Sequence, residues 1–268
     1  MAKRKSFSVT ALPGFAVIAI CTFIVLYLPI ITLVAFSFNA GESVSQWQGF
    51  SLHWYAVAWQ NEQVRTAAAN TLLIAALAAL ISTIVATMAA LGTTRRAKFK
   101  GQTWIYVAIN QPLMVPEIVT AVALLIFFAM LKMATGYTGL GYMVVAHAAF
   151  CIPFAYLPIR ARLESMDLTL ETAAGDLYAS AWQTFRYVTL PLLLPGVLAG
   201  AMLAFVTSLD TVVITEFIKS PGQDTLPTYM LGQLRRAMKP DVNAISTVLL
   251  AITLLMLCAF FLSTRNRK

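Results

Sequence analysis

The fold class this sequence predicts is an all-α membrane protein with six transmembrane helices. Of its 268 residues 59% are hydrophobic, and mean hydropathy is +0.77. Only 11% are charged, far below the usual quarter of a soluble domain. The basic residues gather in short clusters beside six long apolar runs, which is how a chain sets its topology in a bilayer. A net charge of +8 and a pI near 9.6 would fit a nucleic-acid binder if the cations formed one face. Set beside spans, they exclude nucleic acid and make the lipid bilayer the first partner. Cys21, Cys151 and Cys258 all fall inside apolar runs without a pairing pattern, so they read as small hydrophobes with no disulfide framework and no metal site.

The first run, 12–38, follows Lys3, Arg4 and Lys5. It is too long for a signal-peptide core and lacks a small-residue cleavage pattern, so it reads as a retained span. Residues 39–66 are polar and carry Trp47, Trp54, Tyr55 and Trp59, which suit a membrane-interface belt with a share available to a soluble partner. The second span, 67–92, is rich in alanine with Ser82, Thr83 and Thr87, a composition that lets helices approach closely. A basic loop with Arg95, Arg96, Lys98 and Lys100 follows. The third span, 104–131, contains Pro112, Pro116 and Glu117, and the fourth, 140–158, contains His147, Pro153 and Pro158. The fifth, 192–217, holds Asp210, and the sixth covers 244–263.

Between spans four and five lies a loop, 160–191, that is more than a connector. Leu170, Ala173, Ala174, Leu177 and Ala181 recur at spacings of three and four, predicting one apolar stripe on a short helix. Trp182, Phe185 and Val188 extend that face, and Pro191 and Pro195 frame the start of the next span. Such a stretch presents a helix to something outside the membrane. Six spans put both termini on one side. That side holds Lys3, Arg4, Lys5, Arg95, Arg96, Lys98, Lys100, Arg160, Arg162, Arg186, Arg265, Arg267 and Lys268, against Arg65, Lys132, Lys219, Arg235, Arg236 and Lys239 on the other. The excess places the termini and the loop in the cytoplasm.

No catalytic constellation is legible. The two histidines, His53 and His147, stand in no metal motif, and neither a Gly-rich phosphate loop nor a nucleophile elbow is present. His147 reads as a hydrogen-bonded helix-packing residue. The intramembrane carboxylates carry more information, because a charge at membrane depth costs roughly 3 kcal/mol and normally faces protein or a watery path. Counting about 1.5 Å per residue from the cytoplasmic starts of their spans sets Glu117 about 20 Å deep and Asp210 about 27 Å deep. Pro112 and Pro116 remove backbone donors just before Glu117, predicting a broken helix of the kind tolerated where it lines a cavity. One reading is a translocation path in which Glu117, Asp210 and Glu216 meet a cationic solute. The other is that each carboxylate serves a structural partner or, for Glu216 near the span end, simply sits in water.

Two sets of motifs resemble a known family. Glu171-x-Ala173-Ala174-x-Asp176-Leu177 with Val188-x-Leu190-Pro191 is similar to the Glu-Ala-Ala loop of bacterial ABC-importer permeases. With the paired alanines aligned, that family's glutamate falls on Thr172, one place after Glu171, and its turn glycine falls on Tyr178, where a positive φ would be an outlier. SLDTVVITEF around Asp210, SPGQDTLP at 220–227, KPDVNAIST at 239–247 and QWQGF at 46–50 with the following HWY resemble the spermidine/putrescine importer group. The resemblance covers nearly the whole chain. It implies a six-span, MetI-like permease bundle with a cytoplasmic coupling helix in the bacterial inner membrane.

The implied assembly has ATP-hydrolysing subunits, a second permease that is a different chain, and an external substrate-binding protein. Coupling residues would be Glu171, Ala173, Ala174, Asp176, Leu177, Tyr178, Leu190 and Pro191. The group often has two adjacent aspartates where this chain has Asp210-Thr211, and permeases for opines and aminophosphonates share the motifs. No cofactor is implied. A different mechanism, an ion-coupled carrier using Asp210 and Glu117, would be expected to show a second broken helix in the other half of the chain, and no second copy of the 112–117 break is legible. A membrane-embedded enzyme has no nucleophile–base or metal set to work with.

Overall fold

The computed structural model describes residues 14–43, 46–95, 98–236 and 240–265. Lys3, Arg4, Lys5, Arg96, Lys239, Arg267 and Lys268, which carry part of the charge bias, lie outside the described residues. The described chain is helical almost throughout: α1 Phe15–Phe36, α2 His53–Gln60, α3 Glu62–Thr94, α4 Gln102–Met114, α5 Glu117–Thr135, α6 Gly141–Glu164, α7 Thr169–Asp176 and α8 Ala181–Thr184. A π-helical turn, Phe185–Thr189, leads into α9 Leu190–Asp210, followed by α10 Val213–Ile218, α11 Leu226–Arg236 and α12 Asp241–Arg265. Among the described residues, six helices are long and apolar enough to cross a membrane: Phe15–Phe36, Glu62–Thr94, Glu117–Thr135, Gly141–Glu164, Ala181–Asp210 and Asp241–Phe260.

The chain packs as two compact units. One joins the segment up to Asn61 with Gln233–Ala251; the other joins Glu62–Gly232 with the chain from Ile252 onward. In the first, α1 buries no residue; it is apolar on every side, as suits a membrane span. The loop after it is organised by buried Asn39, whose Nδ2 donates to the carbonyls of Ser43 (3.1 Å) and Gln46 (2.8 Å) while Oδ1 accepts the Gln48 N–H (2.7 Å). Phe38 stacks on Phe50 and leans on Tyr55, so this aromatic set is a small packed structure as well as a belt.

In the second unit α3, α6 and α9 pack on one another, with α5 and α10 completing the core. Small residues make this possible in a medium where apolar burial alone does not drive helices together. α3 buries Ala67, Ala75, Ala78, Ala79, Ala86 and Ala90 with Thr71, Ser82 and Thr83. α9 meets α6 at Gly196 and Gly200: a Cβ on Gly196 would lie 2.5 Å from Cβ of Arg162, and one on Gly200 would lie 2.6 Å from the Ala155 carbonyl oxygen.

The third apolar run forms two helices, as the prolines predict. Pro116 pushes the residue before it out of the helical region, and Val115 stands at φ −95°, ψ 135°. The fifth run departs from the unbroken span expected at 192–217. Its helix starts before residue 192, passes through Leu190 and Pro191, and ends at Asp210, with Thr211 extended at ψ 107° before α10 begins. No proline marks this second break. It falls in the β-branched sequence Thr211-Val212-Val213-Ile214-Thr215, whose side chains crowd a helix.

Candidate functional site

Two helix breaks converge in the second unit. Glu117 opens α5 immediately after Pro116, where the positive end of the helix favours a carboxylate. Its carboxylate faces the backbone N–H of Ile214 in the first turn of α10 and lies within electrostatic reach of Asp210, the last residue of α9. Glu117 Oε1 and, one turn on, Thr120 Oγ1 are both buried without a hydrogen-bond partner, although buried polar atoms almost always find one. Asp210 is exposed, so the pair presents one accessible carboxylate and one recessed carboxylate where the two breaks meet.

His147 holds the break from the α6 side. It is 1% exposed, with Nδ1 2.8 Å from Ser208 Oγ on α9 and Nε2 2.9 Å from Thr215 Oγ1 on α10. The Thr215 hydroxyl also lies 2.9 Å from the Thr211 carbonyl, so one chain of polar contacts runs from α6 through His147 to both sides of the break. The imidazole of His147 thus spans the gap between α9 and α10. The sequence favoured a hydrogen-bonded packing role for His147, and the structure adds which helices it joins.

Glu216 is placed differently from the solvated carboxylate expected. It is half-buried and ion-paired with Lys219 at 2.7 Å, and Lys219 also contacts Asp224 at 2.7 Å. Burial works against the Lys219 charge, but the bonds to Asp224 and Glu216 outweigh it and hold the ammonium above its usual range. Lys132 at the far end of α5 donates to the Ile218 carbonyl (3.1 Å) and to Ser220 Oγ (3.0 Å). The C-terminal end of α10 is therefore tied at several points, and Glu216 belongs to that tie.

The loop expected as one helical stripe is two short helices separated by a left-handed turn. α7 ends at Asp176, and Tyr178 takes φ 60°, the sole non-glycine with positive φ among the described residues. The Tyr178 N–H bonds the Gly175 carbonyl (2.9 Å) and the Ala179 N–H bonds the Ala174 carbonyl (3.0 Å). Those two bonds are the Schellman ending usually built on glycine. The turn that the departure at Tyr178 put in question is therefore made, with a tyrosine. Ser180 then starts α8 with a capping box: its backbone N–H bonds Gln183 Oε1 at 2.8 Å and its Oγ accepts the Gln183 N–H at 3.4 Å. That Ser-x-x-Gln spacing is a helix-start signal present in the sequence and absent from the stripe reading.

At this turn Leu177 is 81% exposed, Tyr178 97% and Trp182 64%, an apolar point that the bundle leaves uncovered. Ala173 and Asp176 are exposed along α7, Ala174 is half-buried, and Leu190 and Pro191 already belong to α9. Glu171 turns the other way. Its Oε1 accepts from Arg95 Nε and from Thr189 Oγ1, each at 3.1 Å, and Arg95 Nη1 donates to the Leu163 carbonyl at 3.1 Å. Among the described residues no group of His, Cys, Asp and Glu is arranged to hold a metal ion.

A bundle with six apolar helices and two carboxylates at converging helix breaks fits a membrane-embedded transport subunit. The chain belongs to the family of binding-protein-dependent transport system inner membrane components, which matches residues 82–266. This is a family of permease subunits, not of enzymes. The chain is 34% identical over 260 residues to the putrescine transport system permease protein PotI of Escherichia coli K12, spanning 96% of this chain and 92% of that one. It is 34% identical over 242 residues to the spermidine/putrescine transport system permease protein PotC of the same organism, spanning 90% of each. In fold it matches a chain of a bacterial ABC transporter involved in import of the acidic polysaccharide alginate, with a TM-score of 0.73, 17% identity and 94% of each chain covered. The ion-coupled carrier is set aside by this membership. The missing second break is not a reason to reject it, since α9 and α10 supply one.

Proposed function

We propose that this chain is a permease subunit of an ATP-driven importer that carries a small polyamine, of the putrescine or spermidine class, from an external binding protein into the cytoplasm. The observation that carries the reading is the pairing of Glu117 and Asp210 at facing helix breaks. Two carboxylates at membrane depth, one exposed and one with a buried unpartnered oxygen, suit a solute bearing amines at its ends. Glu216, already held by Lys219, would shape the outer end of that path. The two relatives named for polyamine transport support the same solute class.

On this reading 160–191 is the cytoplasmic coupling loop of a single permease domain, docked through Ala173, Ala174, Asp176, Leu177 and Tyr178 into a separate ATPase subunit. A second permease, a different chain, completes the path in the bacterial inner membrane with both termini cytoplasmic. The test is uptake of labelled putrescine and spermidine into proteoliposomes holding the full assembly. Uptake requires ATP and fails with Ala174→Asp, which sets a charge in the docking face. Asp210→Asn raises the concentration for half-maximal uptake by about tenfold, the worth of roughly one charge-assisted hydrogen bond, and leaves assembly intact. Uptake without ATPase subunits would return the carrier reading. Binding-protein-stimulated ATP hydrolysis with neither polyamine moved would keep the importer and discard the solute.

A further inference from the structure

The apolar point of the coupling loop can transmit movement only if the loop is held to the bundle, and Glu171 ties α7 to two other elements through its carboxylate. Glu171 lies on α7, Arg95 at the end of α3, Leu163 in the last turn of α6, and Thr189 where the π turn runs into α9. The Arg95 and Glu171 side chains are only 17% and 21% exposed. Arg95 divides its fork between the Glu171 carboxylate and the Leu163 carbonyl, and its Nη2 is buried without a partner. A guanidinium at the carbonyl end of α6 is favourably placed, and its rigid planar fork fixes the directions of both bonds where a flexible ammonium would not.

We infer that Arg95, Glu171 and Thr189 form a clamp that makes α7 move as one body with α3, α6 and α9, so that Glu171 acts inside the permease as a positioning residue for coupling and is not a contact to the ATPase. This rests on the α7–α8 loop being the ATPase-facing element. The one-place displacement of the acid from Thr172 to Glu171 fits the inference, because position 172 is exposed on α7 whereas position 171 faces the bundle. Breaking the clamp loosens transmission and leaves the exposed docking face unchanged.

The experiment uses the full assembly with Cys21, Cys151 and Cys258 replaced by serine and spin labels at Leu80→Cys on α3 and Leu168→Cys beside α7, both exposed. In the parent the label spacing is single and the same with and without ATP. In Glu171→Gln the ATPase subunits still copurify, ATP broadens or splits the spacing, and solute moved per ATP hydrolysed falls at least about fivefold, the lower end of ordinary coupling energies. Thr189→Val shifts both readouts in the same direction, and Arg95→Lys, which keeps the charge, restores part of the loss seen in Arg95→Ala. A single unchanged spacing in Glu171→Gln overturns the clamp. So does release of the ATPase subunits by that variant, which would make Glu171 a docking residue. Ala174→Asp is run alongside: ATPase retained by it would remove the docking reading of the loop, whereas the label spacing judges the clamp.

Discussion

His147 and Tyr178 are each placed where their residue type is unusual, a histidine buried in a bundle and a tyrosine at positive φ, and each is explained by what surrounds it. The imidazole of His147 bonds Ser208 and Thr215 across the break between α9 and α10. Hydrogen bonds between membrane helices are worth about 0.6 kcal/mol on average and up to about 1.7. His147→Leu, which strips two of them, therefore lowers stability by about 1–3 kcal/mol in a denaturant titration of the purified permease, and His147→Asn recovers part of it. Equal stability of the leucine variant would show that the bridge holds nothing. The identity of the bridging residue was legible, since a lone histidine in an apolar run needs partners. Its partners, 61 and 68 positions away in sequence, were not. Tyr178 shows a different gap: a left-handed tyrosine costs about 1–3 kcal/mol, and only alignment with a motif that has glycine there pointed to the turn.

At the scale of helices, proline made the first break readable and its absence hid the second. Pro116 disfavours a helical Val115 on steric grounds, a visible signal in the sequence, whereas a β-branched run such as 211–215 weakens a helix only slightly. Whether it opens depends on outside partners, here the Glu117 carboxylate and His147. The loop was misjudged for a similar reason, since an apolar period of 3.6 continues across a turn if the chain resumes in phase. Close packing of α6 and α9 gives a sharper expectation. Gly200→Val forces its Cβ toward the Ala155 carbonyl and costs about 1–3 kcal/mol as overpacking. Gly175→Ala, with nothing within 4 Å of the added carbon, stays within about 1 kcal/mol of the parent. Comparing the two in the same unfolding assay isolates helix contact from glycine flexibility.

For the whole molecule, composition made the membrane class and the six spans legible, and the charge bias supplied an orientation that coordinates alone do not contain. That orientation is open to chemistry. With the native cysteines replaced, Trp59→Cys in intact spheroplasts reacts with a membrane-impermeant maleimide and Tyr178→Cys does not, both sites being well exposed. Inside-out vesicles give the reverse. Labelling of Tyr178→Cys from outside would invert the topology and put the apolar point where no cytoplasmic ATPase reaches it. The carboxylate pair was legible as two separate residues, but their meeting was not, because it depends on a break that no residue announces. The π turn at Phe185–Thr189 carries one more consequence. Its bond from the Leu190 N–H to the Phe185 carbonyl takes in one residue more than an α-turn. Removing one residue there would rotate everything beyond it by about 100°, swinging Gly196, Gly200 and Asp210 away from the faces they now meet. The turn sets the phase of α9, so the length of this stretch is a constraint on the chain in its own right, beside the contact that Thr189 makes within it.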